Sequence, residues 1–280
     1  VYVVLATDTG GTSTRLAVQS LDGVELDRCV LDTNPHDYGS AMKAIAEAGH
    51  SLIRGRELLA VGSGVAGVID GGVLTDSGNL PGWKGHDVET DLRQAFDAPV
   101  AVLNDAQVAG LGELTALKSP LVYVIWGSGV GVALVVDGNG QIVALATELG
   151  HIVIDKNSKL RCGCGGYGHL EAHVSGNNIP KRRFGRRRGL RAEHLNDRQW
   201  GVVCRDMAIG LRSISAAAPG LPIVMGGGIT NKQSHRLPIL QEMVGQLKSS
   251  CPVPMLHLAK HGEDSGLVGA GFAARQLVRA

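Results

Sequence analysis

The chain has 280 residues, enough to bury a large core and, at roughly 100 to 150 residues per domain, to form two domains. Its 44% apolar content comes without any run of about 18 apolar residues, so no membrane span is expected, and a net charge of +1 gives no global attraction for nucleic acid or anionic lipid. Five scattered cysteines do not make a secreted disulfide scaffold, and the opening VYVVLATDTG lacks the basic start and cleavage region of a signal peptide, so a cytoplasmic protein is expected. Forty glycines, about twice the usual share, sit in short motifs after apolar runs, where they suit loops that bring backbone close to a ligand.

Residues 1 to 7 read as a buried strand that ends in Asp8-Thr9-Gly10-Gly11-Thr12. TRLAVQS (14 to 20) and VELDRCV (24 to 30) then read as a hairpin around Asp22-Gly23. A strand, a Gly-Gly turn and a returning strand can cradle a phosphate on backbone amides, with Asp8 placed to hold Mg2+. The same letters also fit an ordinary tight bend with a solvated acid. A helix over 37 to 54 and a strand over 57 to 65 follow. Next come a hairpin turned at Asp70-Gly71-Gly72 and a Gly-Asn-Leu-Pro-Gly-Trp loop, in which Asn79 could bond a polyol and Trp83 is expected to pack in the core. A helix over 87 to 97 leads to a strand over 99 to 103 that ends at Asn104-Asp105. A polar pair at the carboxyl end of a strand lies where α/β domains bind ligands, although Asp105 would serve equally as the N-cap of the helix read over 106 to 114.

LVYVIWGSGVGVALVVDG (121 to 138) repeats the opening arrangement around Gly127-Ser128-Gly129-Val130-Gly131. Two such units suggest two related domains facing a shared phosphate-bearing ligand across a cleft. The segment TELGHIVIDKNSKLRCGCGGYGHLE (147 to 171) follows. His151, Cys162, Cys164 and His169 offer two imidazoles and two thiols, a donor set for tetrahedral Zn2+; the plainer alternative is two buried cysteines in a Gly-rich turn. With four protein ligands such a site is structural, so chemistry is expected beside the metal. The basic run KRRFGRRRGLR (181 to 191) has no recognisable reading module and is expected to be a solvated face, with nucleic acid not expected as a partner. A helix over 198 to 217, a strand over 221 to 230 entering Gly226-Gly227-Gly228, a helix over 236 to 248, a strand over 254 to 258 and a helix over 265 to 278 complete the chain.

Taken in order, the Asp8 loop, Asn104-Asp105, the 127 to 131 turn, Glu148-Leu-Gly-His151, the 162 to 171 segment and the 226 to 228 glycines make the sequence resemble the ROK family of sugar kinases and sugar-responsive repressors, bacterial glucokinases above all. The resemblance implies an α/β, two-domain actin-like ATPase (ribonuclease H-like) fold with an interdomain cleft, assembled as a homodimer or homotetramer. The expected domains are 1–115, on the sugar side and completed by the C-terminal helix 265–280, and 116–264, with the nucleotide loops and the zinc segment. It further implies that Asp8, Gly10, Gly11 and Thr12, with Gly127, Ser128 and Gly129, form the two ATP phosphate loops, and that Gly227 and Gly228 approach the adenosine. By the same resemblance Asp105 is the catalytic base, and Asn79, Asn104, Asp105, Glu148, His151 and Glu171 contact the sugar. His151, Cys162, Cys164 and His169 are the zinc ligands.

The sequence departs from the family pattern in carrying His169 where a third cysteine is usual, and Ser128 and Val132 in the second phosphate loop. Family repressors carry an additional N-terminal helix-turn-helix, whereas this sequence opens on the first kinase strand, which favours an enzyme. The implied reaction is transfer of the γ-phosphoryl of ATP, with Mg2+, to a sugar hydroxyl activated by Asp105. Glucose is the first expectation. N-acetylmannosamine, N-acetylglucosamine, mannose, fructose and allose are alternatives, and a non-catalytic sugar sensor is the alternative of a different class.

Overall fold

The computed structural model describes residues 1–182 and 189–279. The centre of the basic run expected at 181 to 191 therefore lies outside the described residues. The chain divides into two units, one of residues 1–118 with 264–280 and the other of residues 119–263. Among the described residues no helix is long and apolar enough to cross a membrane.

In the first unit, β1 (Tyr2–Thr9), β2 (Ser13–Ser20), β3 (Glu25–Asp32), β4 (Glu57–Val65) and β7 (Val100–Asn104) form one sheet in the order β3-β2-β1-β4-β7. The three strands from β3 to β1 are antiparallel, whereas β4 and β7 run parallel to β1. β1 is buried along nearly its whole length, as a central strand covered on both faces must be. Its side chains alternate between the faces. Val3 and Leu5 join Tyr38, Ile45 and Leu52 of α1 (Tyr38–Ile53) and Leu92 of α2 (Val88–Phe96). Ala6 instead joins Val108 of α3 (Asp105–Leu117) and Leu267 and Ala270 of α8 (Ser265–Arg279).

The second face is lined by small residues because α8 lies very close to it. A Cβ on Gly62 would fall 1.9 Å from the carbonyl oxygen of Ala270, and one on Gly269 would fall 1.6 Å from that of Val108. Trp83 is fully buried and donates its indole N–H to the carbonyl of Asn34 at 3.0 Å, so it packs in the core as expected. The short hairpin β5 (Val68–Asp70) and β6 (Val73–Asp76) turns at Gly71 and Gly72, both with positive φ.

The second unit repeats the strand pattern. β8 (Leu121–Trp126), β9 (Val130–Gly138), β10 (Gln141–Thr147), β11 (Ile223–Gly226) and β12 (Leu256–Leu258) pair in the order β10-β9-β8-β11-β12, the first three antiparallel and the last two parallel to β8. Strand β10 is absent from the expectations above. Its signal is Asn139-Gly140, a hairpin turn with both residues at positive φ (58° and 85°) between two alternating runs. The core of this unit gathers Trp126, Leu170 and Ile223 around α5 (Asp197–Ala217), where Trp200 meets Trp126 edge to face at 6.1 Å. The expected strand over 221 to 230 is shorter than its apolar run, because the chain turns at Gly227 (φ 93°) into the five-residue helix α6 (Gly228–Lys232). α4 (Leu170–Val174) and α7 (Leu237–Gln246) complete the unit.

Candidate functional site

In the first unit the acidic residues cluster at the carboxyl ends of β1 and β7. The turn after β1 is closed by the amide of Gly10 donating to the carbonyl of Ser13 at 3.0 Å. Gly11 packs on the loop that carries Asn79, where a Cβ would fall 2.7 Å from the Asn79 carbonyl oxygen, so only glycine permits this approach. Asn79 and Thr12 are exposed.

The Asp8 carboxylate is walled by Gly64 of β4 and Gly266 of α8, where added Cβ atoms would fall 3.3 and 2.6 Å from its oxygens. Arg15 lies 3.9 Å away. Burial, and then the negative charge of Asp105, push the Asp8 carboxyl up to about 6; Arg15 pulls the other way, and Asp264 adds a smaller push. Two carboxylates sharing one field, one of them reluctant to ionise, make a place where a cation or a proton in transit is favoured.

The cap of α3 falls one residue earlier than the alternative reading placed it. Asn104 Oδ1 accepts the Gln107 amide at 2.7 Å, and the Gln107 side chain accepts the Asn104 amide at 3.0 Å, a full capping box. Asp105 is thereby the first helical residue, its Oδ1 accepting the amide of Ala106 at 2.9 Å. Asp105 is not the cap, and the strand-to-helix junction places its charge where Asp8 feels it.

In the second unit the turn between β8 and β9 is held from beneath. Gly127 donates to the carbonyl of Gly129, while Gly176 and Asn177 donate to the carbonyls of Gly127 and Ser128 at 2.8 and 3.0 Å. Glu171 Oε2 accepts the amide of Val130 at 3.1 Å, and its Oε1 accepts from the Cys162 thiol at 3.4 Å. One carboxylate thus ties the glycine turn to the cysteine loop. Around Gly127, Ser128 and Gly228 lies a cavity of about 520 Å³ whose wall also includes Asn177, Arg191, Glu193 and Lys232. Of these, Asn177, Glu193 and Lys232 are not among the residues singled out in the sequence, whereas Arg191 ends the basic run 181 to 191. The adjoining Gly176-Asn177 after α4 and the lysine closing α6 were the available signals.

The metal-type residues converge. The four donor atoms of His151, Cys162, Cys164 and His169 all lie within 4.8 Å of one another. Cys162 Sγ is 3.4 Å from His151 Nδ1, and Cys164 Sγ is 3.2 Å from His169 Nδ1. Tetrahedral zinc with ordinary Zn–S and Zn–N bonds requires neighbouring sulfur and nitrogen ligands about 3.5 Å apart, so this donor set fits that ion.

His169 reaches the cluster because Gly166 makes room for it: a Cβ there would fall 2.4 Å from the imidazole. The loop is pinched by the Cys162 amide donating to Gly166 and by Gly165 at φ 95°. Without a metal, burial pushes the Cys162 thiol up to about 12 and the nearby Glu171 carboxylate adds to that, so a bound cation is what would make it a thiolate. His151 Nε2, the nitrogen away from the thiol, faces Glu148 Oε2 at 3.5 Å, and Glu148 itself is largely exposed.

The sequence model of the ROK family matches residues 4–276. A glucokinase from Pyrobaculum calidifontis is 37% identical over 185 residues, a stretch that covers 63% of this chain and 58% of that protein. The chain therefore spans less than two thirds of the curated glucokinases it matches, a second from Halalkalibacterium halodurans being covered over 57%. An N-acetylmannosamine kinase from Yersinia pestis is 30% identical over 97% of this chain and 98% of its own length. Among solved structures the ROK hexokinase from Thermus thermophilus superposes with a TM-score of 0.85 at 28% identity, covering 99% of both chains. With the α/β architecture, the two glycine turns and the Cys-x-Cys segment all in place, the chain belongs to the ROK family.

Proposed function

We propose that this protein is an ATP-dependent sugar kinase that transfers the γ-phosphoryl group of ATP to a sugar hydroxyl. The observation that carries the reading is the pair Asp8 and Asp105: two carboxylates in one field at the strand ends, the second held on a capped helix terminus. Asp105 orients the sugar hydroxyl and takes its proton as the phosphoryl group arrives. Mg2+ carried with the nucleotide would neutralise phosphate charge, with Asp8 as the acid nearest that role.

The Gly10-Gly11-Thr12 and Gly127-Ser128-Gly129 turns are the proposed phosphate loops: the amides of Gly10 and Gly127 close them, and those of Gly11, Thr12, Ser128 and Gly129 are the proposed phosphate contacts. The cavity bordered by Gly228 is the proposed adenosine pocket, with Gly227 behind it. Asn79, Asn104, Glu148, His151 and Glu171 are the proposed sugar contacts. Glu171 also supports the reading indirectly, because it ties the proposed phosphate turn to the proposed metal loop.

N-acetylmannosamine stands first among the sugars, ahead of the glucose favoured by the motifs, because relatives named for it match along 97% of the chain. Glucose is the second reading, supported by the higher identity of the shorter match to the Pyrobaculum glucokinase. A homodimer or homotetramer is the proposed assembly. His151, Cys162, Cys164 and His169 would hold a structural Zn2+, whose contribution is to lock the loop. His151 is then fixed through Nδ1, with Nε2 left for Glu148 and the sugar.

The deciding experiment measures ADP release with ATP, Mg2+ and a panel of N-acetylmannosamine, glucose, N-acetylglucosamine, mannose, fructose and allose. Turnover is expected on N-acetylmannosamine or glucose, and sugar binding without ADP release from any member would leave a sensor in place of a kinase. In the same preparation, Cys162→Ala should lose bound zinc and weaken sugar affinity about tenfold to a hundredfold. An unchanged sugar affinity in zinc-free protein would reject the positioning role of the metal loop.

A further inference from the structure

Outside the groups assigned above, the second unit holds an ordered chain of three side chains. Ser158, in the loop between His151 and Cys162, lies with its Oγ 3.0 Å from Nε2 of His173. On the other side of the imidazole, Nδ1 lies 3.0 Å from Oδ2 of Asp206 on α5. His173 is on α4 and buried, whereas Ser158 is partly exposed. Arg182 donates to the same Asp206 oxygen at 2.8 Å and also to the His173 carbonyl. Burial alone would raise the Asp206 carboxyl, but the bonds from His173 and Arg182 outweigh it and hold the group below the ordinary carboxylate range. An ionised Asp206 can only accept, so Nδ1 keeps its proton and donates it in the hydrogen bond, which leaves Nε2 as the acceptor for the Ser158 hydroxyl. The amide of Leu160 donates to the same Ser158 oxygen at 3.1 Å, a bond that strengthens as charge develops there.

We infer that Ser158 is an activated, nucleophilic hydroxyl, with His173 as its base and Asp206 as the group that orients the base. A hydroxyl used only to tie the loop down would need one partner; here the base is itself oriented by a buried acid, the arrangement that marks activated serines on unrelated folds. The substrate class follows from the surroundings. Leu160, whose amide meets the Ser158 oxygen, lines a second cavity of about 450 Å³ together with Lys159, Arg161, Lys181 and, at the edge of the cysteine loop, Cys162 and Gly163. Three cations at its wall suit a small anionic acyl or phosphoryl donor.

In the step, a bond forms from Ser158 Oγ to the acyl carbon or phosphorus, and the hydroxyl proton passes to His173 Nε2. The bond to the leaving group breaks, and the departing group takes that proton. Asp206 stays ionised throughout and faces the transient imidazolium.

The test treats the folded, full chain with diisopropyl fluorophosphate, where fluoride is the leaving group, and maps the adduct by mass spectrometry. The adduct is expected on Ser158, forming at least about a hundredfold faster than on the urea-unfolded chain, the size of contribution ordinary for a positioned base. His173→Gln and Asp206→Asn should slow it to the unfolded rate, and Ser158→Ala should abolish it. Acetyl phosphate, a small anionic donor, should slow labelling in proportion to its concentration. No adduct on Ser158, or an equal rate in folded and unfolded parent protein, overturns the inference even if neither base variant folds. Labelling at the parent rate in a folded His173→Gln protein overturns it as well, and labelling indifferent to acetyl phosphate removes the anionic substrate.

Discussion

The two glycine turns follow the same plan, a buried strand, a turn and a returning antiparallel strand, yet their carboxylates stand in opposite conditions. Beside the first turn, Asp8 is crowded by Gly64 and Gly266 and opposed by the charges of Asp105 and Asp264, so ionisation costs it stability. Beneath the second turn, Glu171 accepts from the Val130 amide and the Cys162 thiol and so serves as a brace. The contrast shows how one strand pattern, present in both sheets, serves two purposes. One turn gathers acids whose mutual repulsion disfavours ionisation, and the other uses an acid to hold a backbone amide in place.

The largest effect on this contrast should come from Asp105→Asn. Turnover should fall by about 10²- to 10⁴-fold in an ADP-release assay, while the melting temperature stays near that of the parent. The same change removes a negative neighbour, so the Asp8 titration, followed by carboxyl NMR, should move down from about 6 toward its ordinary value. Retained turnover within a few-fold would take the base role away from Asp105.

Asp8→Asn tests the cost of the crowded acid directly. Its folded value lies above its unfolded one, so the penalty is absent below about pH 4, grows as the pH rises to about 6 and is constant above that. The variant should be more stable than the parent by roughly 2 to 3 kcal/mol at pH 7.5 and equal to it at pH 4, measured by urea unfolding. A parent as stable as the variant at pH 7.5 would mean that Asp8 carries no strain.

The smallest effect is expected at the brace. Glu171→Ala leaves the buried Val130 amide without its acceptor and should cost about 1 to 3 kcal/mol, whereas Glu171→Gln, which keeps a carbonyl oxygen, should cost less than half of that. Equal stability of the two variants would show that the turn is held by Gly176 and Asn177 alone.

Much of the local structure was legible in the residues. The alternation in TRLAVQS and VELDRCV, the apolar period of 37 to 54 and the turn at Asp70-Gly71-Gly72 gave their strands and helix to within a few positions, because these signals act over neighbouring residues. The cysteine loop was legible for the same reason, since donors between residues 151 and 169 need only tight turns to meet. Strand β10 also has a local signal, the Asn139-Gly140 turn, although it is absent from the expected elements. The shift of the α3 cap from Asp105 to Asn104 was harder to read, because both residues are good caps and the choice rests on where the strand releases the chain.

By itself, then, the sequence determined the elements, the glycine turns and the set of metal-type donors, all of them consequences of short-range sterics and side-chain chemistry. Only the tertiary structure decided what each acid does. Asp8 acquires its raised value from burial, to which Gly266 more than two hundred residues along the chain contributes a wall, and then from the charge of Asp105, while Glu171 finds Val130 across forty-one residues. Asp206 reaches His173 from a different helix. A carboxylate's behaviour is set by its desolvation and by the charges and donors around it, and the chain brings those together only when it folds.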